Sequence, residues 1–276
     1  MNNANMHLSV AHCTELGDRP NNQDFIGFCA NEQLGCFALA DGAGGHEGGA
    51  RASRAVVSDV LRAFQTAPAA RCTHANWPIA VARDALATAR QRHPDCADMN
   101  TTVAVLLLNT EAGRATWCQL GDSRVYLFRH GRAHQLSHDH SVMQAMLDAG
   151  LAQADLADPP TRNTLYAAVG SSEIPPTAVC DAPLMIAPGD VFLLCSDGFW
   201  ELVPETVMEE ALRAAATPEA WIARMLTYIP QQVYPSDTNK GMDNFSALTV
   251  WAGQRIETTR ILDLGTQHAG RVAWRG

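Results

Sequence analysis

The sequence has almost no lysine. Of its 20 Lys and Arg residues only Lys240 is a lysine, and basic residues nowhere form a run. A nucleic-acid binder needs a basic patch against phosphates, and a net charge of −9 sets that class aside. Long apolar runs are missing as well. None approaches the ~20 residues that span a bilayer, so no membrane anchor is expected. The N-terminal "MNNANMHLSV" has no basic region followed by an apolar stretch, and no signal peptide is read there. The eight cysteines stand singly, at 13, 29, 36, 72, 96, 118, 180 and 195, with no C-x-x-C among them. That excludes a zinc knuckle or a thioredoxin-like motif. Cys36 and Cys195 lie inside apolar runs, as buried free thiols do in a reducing compartment. The expectation is a cytoplasmic globular protein. Its 276 residues, 47% hydrophobic and 18% charged, can bury a substantial core.

What is present is a series of short apolar runs rich in β-branched and aromatic residues: "FIGFCA", "LGCFALA", "TTVAVLLL", "RATWCQL", "RVYLFR" and "VFLLC". Turn residues bound each one, as in "NTEAG", "RHG" and "APGD". "NTEAG" and "RHGR" are too short for the crossover of a parallel sheet and predict antiparallel hairpins. Helical spacing appears over 47–65, where Ala52, Val56, Val60, Leu61 and Phe64 share one face, and again over 77–92. Further helices are expected over 141–150, 204–216 and 218–229, with Pro204 and Pro218 suited to the first turns of the last two. "LADPPTRN" and "QQVYPSDTNKGM" read as surface loops. Runs of strands broken by pairs of helices predict an α+β domain with antiparallel sheets packed face to face and helices outside.

Five aspartates stand where apolar strands begin or end. Asp41 closes "LGCFALAD", and Asp197 closes "VFLLCSD". Asp122 sits in a turn between two strands, while Asp24 and Asp243 each precede one. Each alone reads as a turn or a cap. Together they suggest carboxylates gathered at one rim of a sandwich, where they repel one another unless a cation compensates. Carboxylates, glycine carbonyls and water are hard donors, which favour Mg²⁺ or Mn²⁺ over zinc. Gly42 lets backbone approach such an ion, and Gly44 and Gly45 leave room for a substrate.

The ordered set "RPNNQD", "ADGAGGH", "NTTVAVLLL", "GDSRVYLF", "DHS…DAG", "TRNTLYAAVG", "LLCSDGFWE" and "DNFSALTV" resembles the metal-dependent protein serine/threonine phosphatases, the PPM or type 2C family, in its bacterial branch. The resemblance covers residues 8 to about 252. It implies a central β-sandwich of two antiparallel sheets flanked by helices on both sides, a four-layer α-β-β-α arrangement. Residues 1–252 would form the phosphatase domain and 253–276 a C-terminal extension. It implies two Mn²⁺ or Mg²⁺ ions: Asp41 bridging both, the Gly42 carbonyl on the second, and Asp197 and Asp243 on the first. Asp24 would hold metal-bound water, Asp122 with Asp197 would hold a third, weaker ion, and Arg19 would grip the substrate phosphate. The implied reaction is hydrolysis of phosphoserine and phosphothreonine by a metal-activated water, without a covalent phosphoenzyme. The implied partners are a phosphorylated protein and an opposing Ser/Thr kinase.

The chain departs from the family pattern at three places. Gln23 stands before Asp24 where an acidic residue is common. Ala43 stands where many members carry Met or His, so a histidine general acid is absent there. The "TELGDR" segment is one residue short upstream of Arg19. Residues 139–170 match the family's flap, with Ser141 given no role. His46 is read as bonding its own loop, Trp200 as packing, and His138 with His140 as a weak candidate metal pair. Two other functions stay open at this point: a catalytically weak relative acting as a phosphoprotein-binding regulatory module, and a hydrolase of small phosphate esters. The retained Asp41, Gly42, Asp197 and Asp243 favour an active enzyme over the former.

Overall fold

A computed structural model describes residues 6–43, 47–151, 164–180, 182–229 and 241–253. Eleven strands appear among them: β1 (Leu8–Glu15), β2 (Asp24–Ala30), β3 (Leu34–Ala43), β4 (Asn100–Thr101), β5 (Val103–Asn109), β6 (Arg114–Leu120), β7 (Arg124–Arg129), β8 (Arg132–Gln135), β9 (Leu184–Met185), β10 (Val191–Cys195) and β11 (Phe245–Ala252). Seven helices accompany them: α1 (Gly48–Thr66), α2 (Pro68–Arg71), α3 (Trp77–Arg92), α4 (Val142–Asp148), α5 (Asp197–Leu202), α6 (Glu205–Arg213) and α7 (Pro218–Tyr228).

The strands form two sheets. One runs β1-β11-β10-β7-β8 and the other β2-β3-β5-β6-β9, with β4 beside β3. Every strand pair is antiparallel. The central strands are covered on both faces, so β10 and β11 bury every residue. This is why their sequences run apolar without alternating.

Three apolar cores separate four layers. Phe37, Leu106, Phe192 and Leu248 meet between the sheets. Val56, Val60, Phe64 and Leu86 pack α1 and α3 on the outer face of the β2–β9 sheet. Trp221, Met225, Phe199 and Leu193 pack α5 and α7 on the outer face of the other sheet. The expected sandwich, flanked on both sides, is what the chain forms. All eight cysteines are free, as expected. Among the described residues no helix is long and apolar enough to cross a membrane.

Some local expectations need correction. β3 continues past Asp41 to Ala43, because Gly42 and Ala43 pair with Thr101 and Asn100 of β4. Asp197 does not close its strand, because β10 stops at Cys195. It is the first residue of α5, a helix that the short "DGFWEL" did not announce by period. β1 lay outside the predicted strands because Ser9, His12 and Thr14 interrupt its apolar residues, Ser9 on one face and the other two on the opposite one. The loops read over 156–163 and most of 231–242, the glycines 44–45 with His46, and the segment 254–276 lie outside the described residues.

Candidate metal centre

Antiparallel pairing brings the end of one strand beside the start of the next, and this gathers the aspartates. Asp24 opens β2 and is the register partner of Asp41 near the end of β3. Asp197 follows the end of β10, and Asp243 precedes β11, its antiparallel neighbour. Asp122 lies where the chain crosses from β6 in one sheet to β7 in the other. Each sheet therefore delivers two carboxylates to the same rim, with Asp122 at the junction.

The electrostatics bind the five into one cluster. Burial pushes the Asp24 carboxyl up to about 7; hydrogen bonds from Ser196 and Ser246 hold it down, while the Asp197 and Asp243 charges raise it. Asp41 is held well above the carboxylate range, first by burial and then by Asp24, Asp197 and Asp122. Asp122 is raised the same way, by burial and then Asp197 and Asp139. Asp197 is raised by burial, against a hydrogen bond to Asp41. Asp41 and Asp197 thus crowd each other, and burial and neighbouring charge disfavour their ionised forms.

Three of the carboxyls also have fixed anchors. Ser196 Oγ donates to Asp24 Oδ2 at 2.7 Å. The Gly198 N–H donates to Asp197 Oδ1 at 2.6 Å. Asp243 Oδ1 accepts from the Asn244 N–H at 2.8 Å, and its Oδ2 accepts from Arg19 Nη2 at 2.7 Å. As they stand, no three His, Cys, Asp or Glu side chains among the described residues close into a cage for a metal ion.

Backbone supports hold the aspartates in place. The Asp41 N–H donates to Thr102 Oγ1 at 2.9 Å, and its carbonyl accepts from the Thr102 N–H and Thr101 Oγ1 at 2.8 Å each. A Cβ on Gly42 would lie 2.1 Å from the Gly49 carbonyl oxygen, so only glycine lets α1 start against the end of β3. Asn244 ties three segments: its side chain donates to the Leu16 carbonyl and accepts from the Gln23 N–H, both at 2.8 Å. Trp200 does more than pack. Its Nε1 donates to the Asp122 carbonyl at 3.0 Å, while the Arg124 guanidinium lies 3.5 Å over its ring.

Thr101, Thr102, Ser196 and Asn244 were all inside the recognised motifs, yet no role was read for them. A hydroxyl or amide beside an aspartate is too common a pattern to single out. Ser141 caps α4, accepting from the Gln144 N–H at 3.1 Å. His138 and His140 form no metal pair. His138 bonds Asp148 at 2.7 Å. His140 is fully buried, its Nδ1 accepting from the Gly121 N–H at 3.2 Å and its Nε2 reaching Thr177 at 3.0 Å.

The rim fits hard divalent cations on its own features. Its donors are all oxygens, its five carboxyls face one paired arginine, Arg19, and Asp24 Oδ1 is buried without any hydrogen-bond partner.

Comparison with known proteins agrees. The chain matches the family model "Protein phosphatase 2C" over residues 16–230. It is 29% identical over 204 residues to the serine/threonine protein phosphatase PstP of Mycobacterium tuberculosis, covering 73% of this chain but only 38% of that longer protein. It is 30% identical over 207 residues to the protein phosphatase PhpP of Streptococcus pneumoniae, covering 71% of this chain and 80% of PhpP. A crystal structure of the PstP catalytic domain in complex with two manganese ions superposes with a TM-score of 0.68 at 25% identity, over 90% of this chain and all of that one. The matched span is well over half of the sequence, and the chain belongs to the protein phosphatase 2C family.

Proposed function

We propose that this protein is a metal-dependent serine/threonine phosphatase that hydrolyses phosphoserine and phosphothreonine in proteins. The observation that carries the reading is the rim of five aspartates, four of which are pushed up by burial and by one another's charge, in a chain of this family. Asp41, Asp197, Asp243 and the Gly42 carbonyl would hold two Mn²⁺ or Mg²⁺ ions, and Asp122 with Asp197 a third, weaker one. When bound, such ions neutralise phosphate charge and lower the pKa of water.

The remaining work falls to the chain's own groups. The free Oδ1 of Asp24 is the buried acceptor able to hold an attacking water in place. Arg19 stands at the exposed edge beside Asp243, and its planar fork suits phosphate oxygens. Ala43 at the end of β3 offers no proton, so the leaving oxygen takes its proton from water. The substrate is a phosphorylated protein, opposed to a Ser/Thr kinase, and the location is cytoplasmic. On this reading residues 1–252 are the phosphatase domain and 253–276 an extension.

The test is phosphate release from a phosphothreonine peptide, with Mn²⁺ and with excess EDTA, for wild type and Asp41→Asn. Release that requires both the metal and Asp41 is expected. Release that survives EDTA or the substitution would overturn the site. Absence of release from folded, Mn²⁺-binding wild type would favour the regulatory module instead.

A further inference from the structure

Away from the carboxylates, α1 and α3 run side by side and leave a groove of about 320 Å³ between them. Ala85 and Ala89 line it, and Arg51, Arg54, Arg62 and Arg92 stand along it, four arginines against three acids: Asp59 in the lining, and Glu47 and Asp95, which pair with Arg51. In a chain of net charge −9 this is a local reversal of sign. Several of the guanidinium groups are held in place. Arg51 pairs with Glu47 at 2.6 Å and reaches His93 Nδ1 at 3.0 Å. Arg54 lies 4.7 Å over the Phe25 ring, and Arg62 pairs with Asp59. Arg92 is exposed and makes no ion pair among the described residues.

The groove starts in the first turn of α1, the helix whose N-terminal Gly49 abuts Gly42 of the rim. Arg51 is two residues past Gly49, the residue whose carbonyl abuts Gly42. From Arg51 to Arg62 a helix rises about 16 Å, the reach of about five residues of extended chain. We propose that this groove binds an acidic segment of the phosphoprotein substrate, flanking the phosphorylated residue, through Arg51, Arg62 and Arg92. The inference rests on the phosphatase reading for its substrate and on the groove's own charge for its occupant. A row of carboxylates complements fixed guanidinium groups and gains specificity and association rate from the match.

Two phosphothreonine peptides, identical except for Asp and Glu or Asn and Gln in the five flanking residues, separate the outcomes. The acidic peptide is expected to show a KM lower by about fivefold at low salt, with the difference shrinking as salt screens it. Arg62→Glu combined with Arg92→Glu should erase the difference while p-nitrophenyl phosphate turnover stays at the wild-type level. Equal KM values for the two peptides, or a difference untouched by the double variant, would overturn the proposal. Fluorescence anisotropy with the unphosphorylated acidic peptide needs no turnover, so it decides the groove even if the phosphatase reading fails. Binding lost in the double variant supports the groove. Absent binding, or equal binding of a DNA oligonucleotide of matched charge, counts against it.

Discussion

Asp24 and Asp41 face each other as register partners across the β2–β3 ladder, and both carboxyls hold protons far above the usual carboxylate range. A group whose folded pKa lies above its unfolded value binds protons better when folded. The folded state therefore loses stability as pH rises through that interval. His140 works in the opposite sense. Burial and the nearby His138 lower it to about 4 from 6.5, so its slope is confined to pH below 6.5, where the unfolded chain takes up the proton. Between pH 6.5 and 8.5 the carboxylates act without His140. In EDTA the melting temperature is expected to fall from pH 6.5 through about 7, where Asp24 loses its proton, and Mg²⁺ should raise it more above that interval than at pH 6.5. A flat or rising profile in EDTA, or no response to Mg²⁺, would contradict the crowded cluster.

Gly42→Ala tests the contact between β3 and α1. The added methyl would meet the Gly49 backbone at 2.1 to 2.7 Å, with no flexible side chain to yield. A loss of about 1–3 kcal/mol is expected from such overpacking, together with weaker Mn²⁺ binding because the Gly42 carbonyl must move. Calorimetric titration and melting with and without Mn²⁺ read both effects. Unchanged Mn²⁺ affinity would remove the Gly42 carbonyl from the centre.

Arg19→Ala separates binding from structure. The Arg19–Asp243 pair is open to solvent, with side chains 51% and 38% exposed, so its loss should cost under about 1 kcal/mol of stability. Its effect should fall on KM for a phosphopeptide, raised about fivefold or more with kcat nearly unchanged, since it removes ground-state phosphate binding. A fall confined to kcat would place Arg19 in the transition state instead.

The fold was largely legible because its strands are short, apolar and bounded by turn residues, and because α1 and α3 keep a helical period. β1 escaped notice since half-covered edge strands mix polar with apolar residues. α5 escaped since six residues are too few to show a period. At the centre, the aspartates were visible as carboxylates interrupting apolar runs. The anchors were not: Ser196 lies 172 residues from the Asp24 it serves, and Asn244 lies 228 from Leu16.

By itself the sequence determined the strands, the helices and the acidic punctuation between them, since these are local matters of period, turn chemistry and residue type. Tertiary structure alone decided which carboxyls crowd one another, which backbone Gly42 must touch, and that the arginines of two helices flank one groove. Those are relations between segments distant in the chain. Sheet register and helix packing set them, and no local run of residues encodes a distance across the fold.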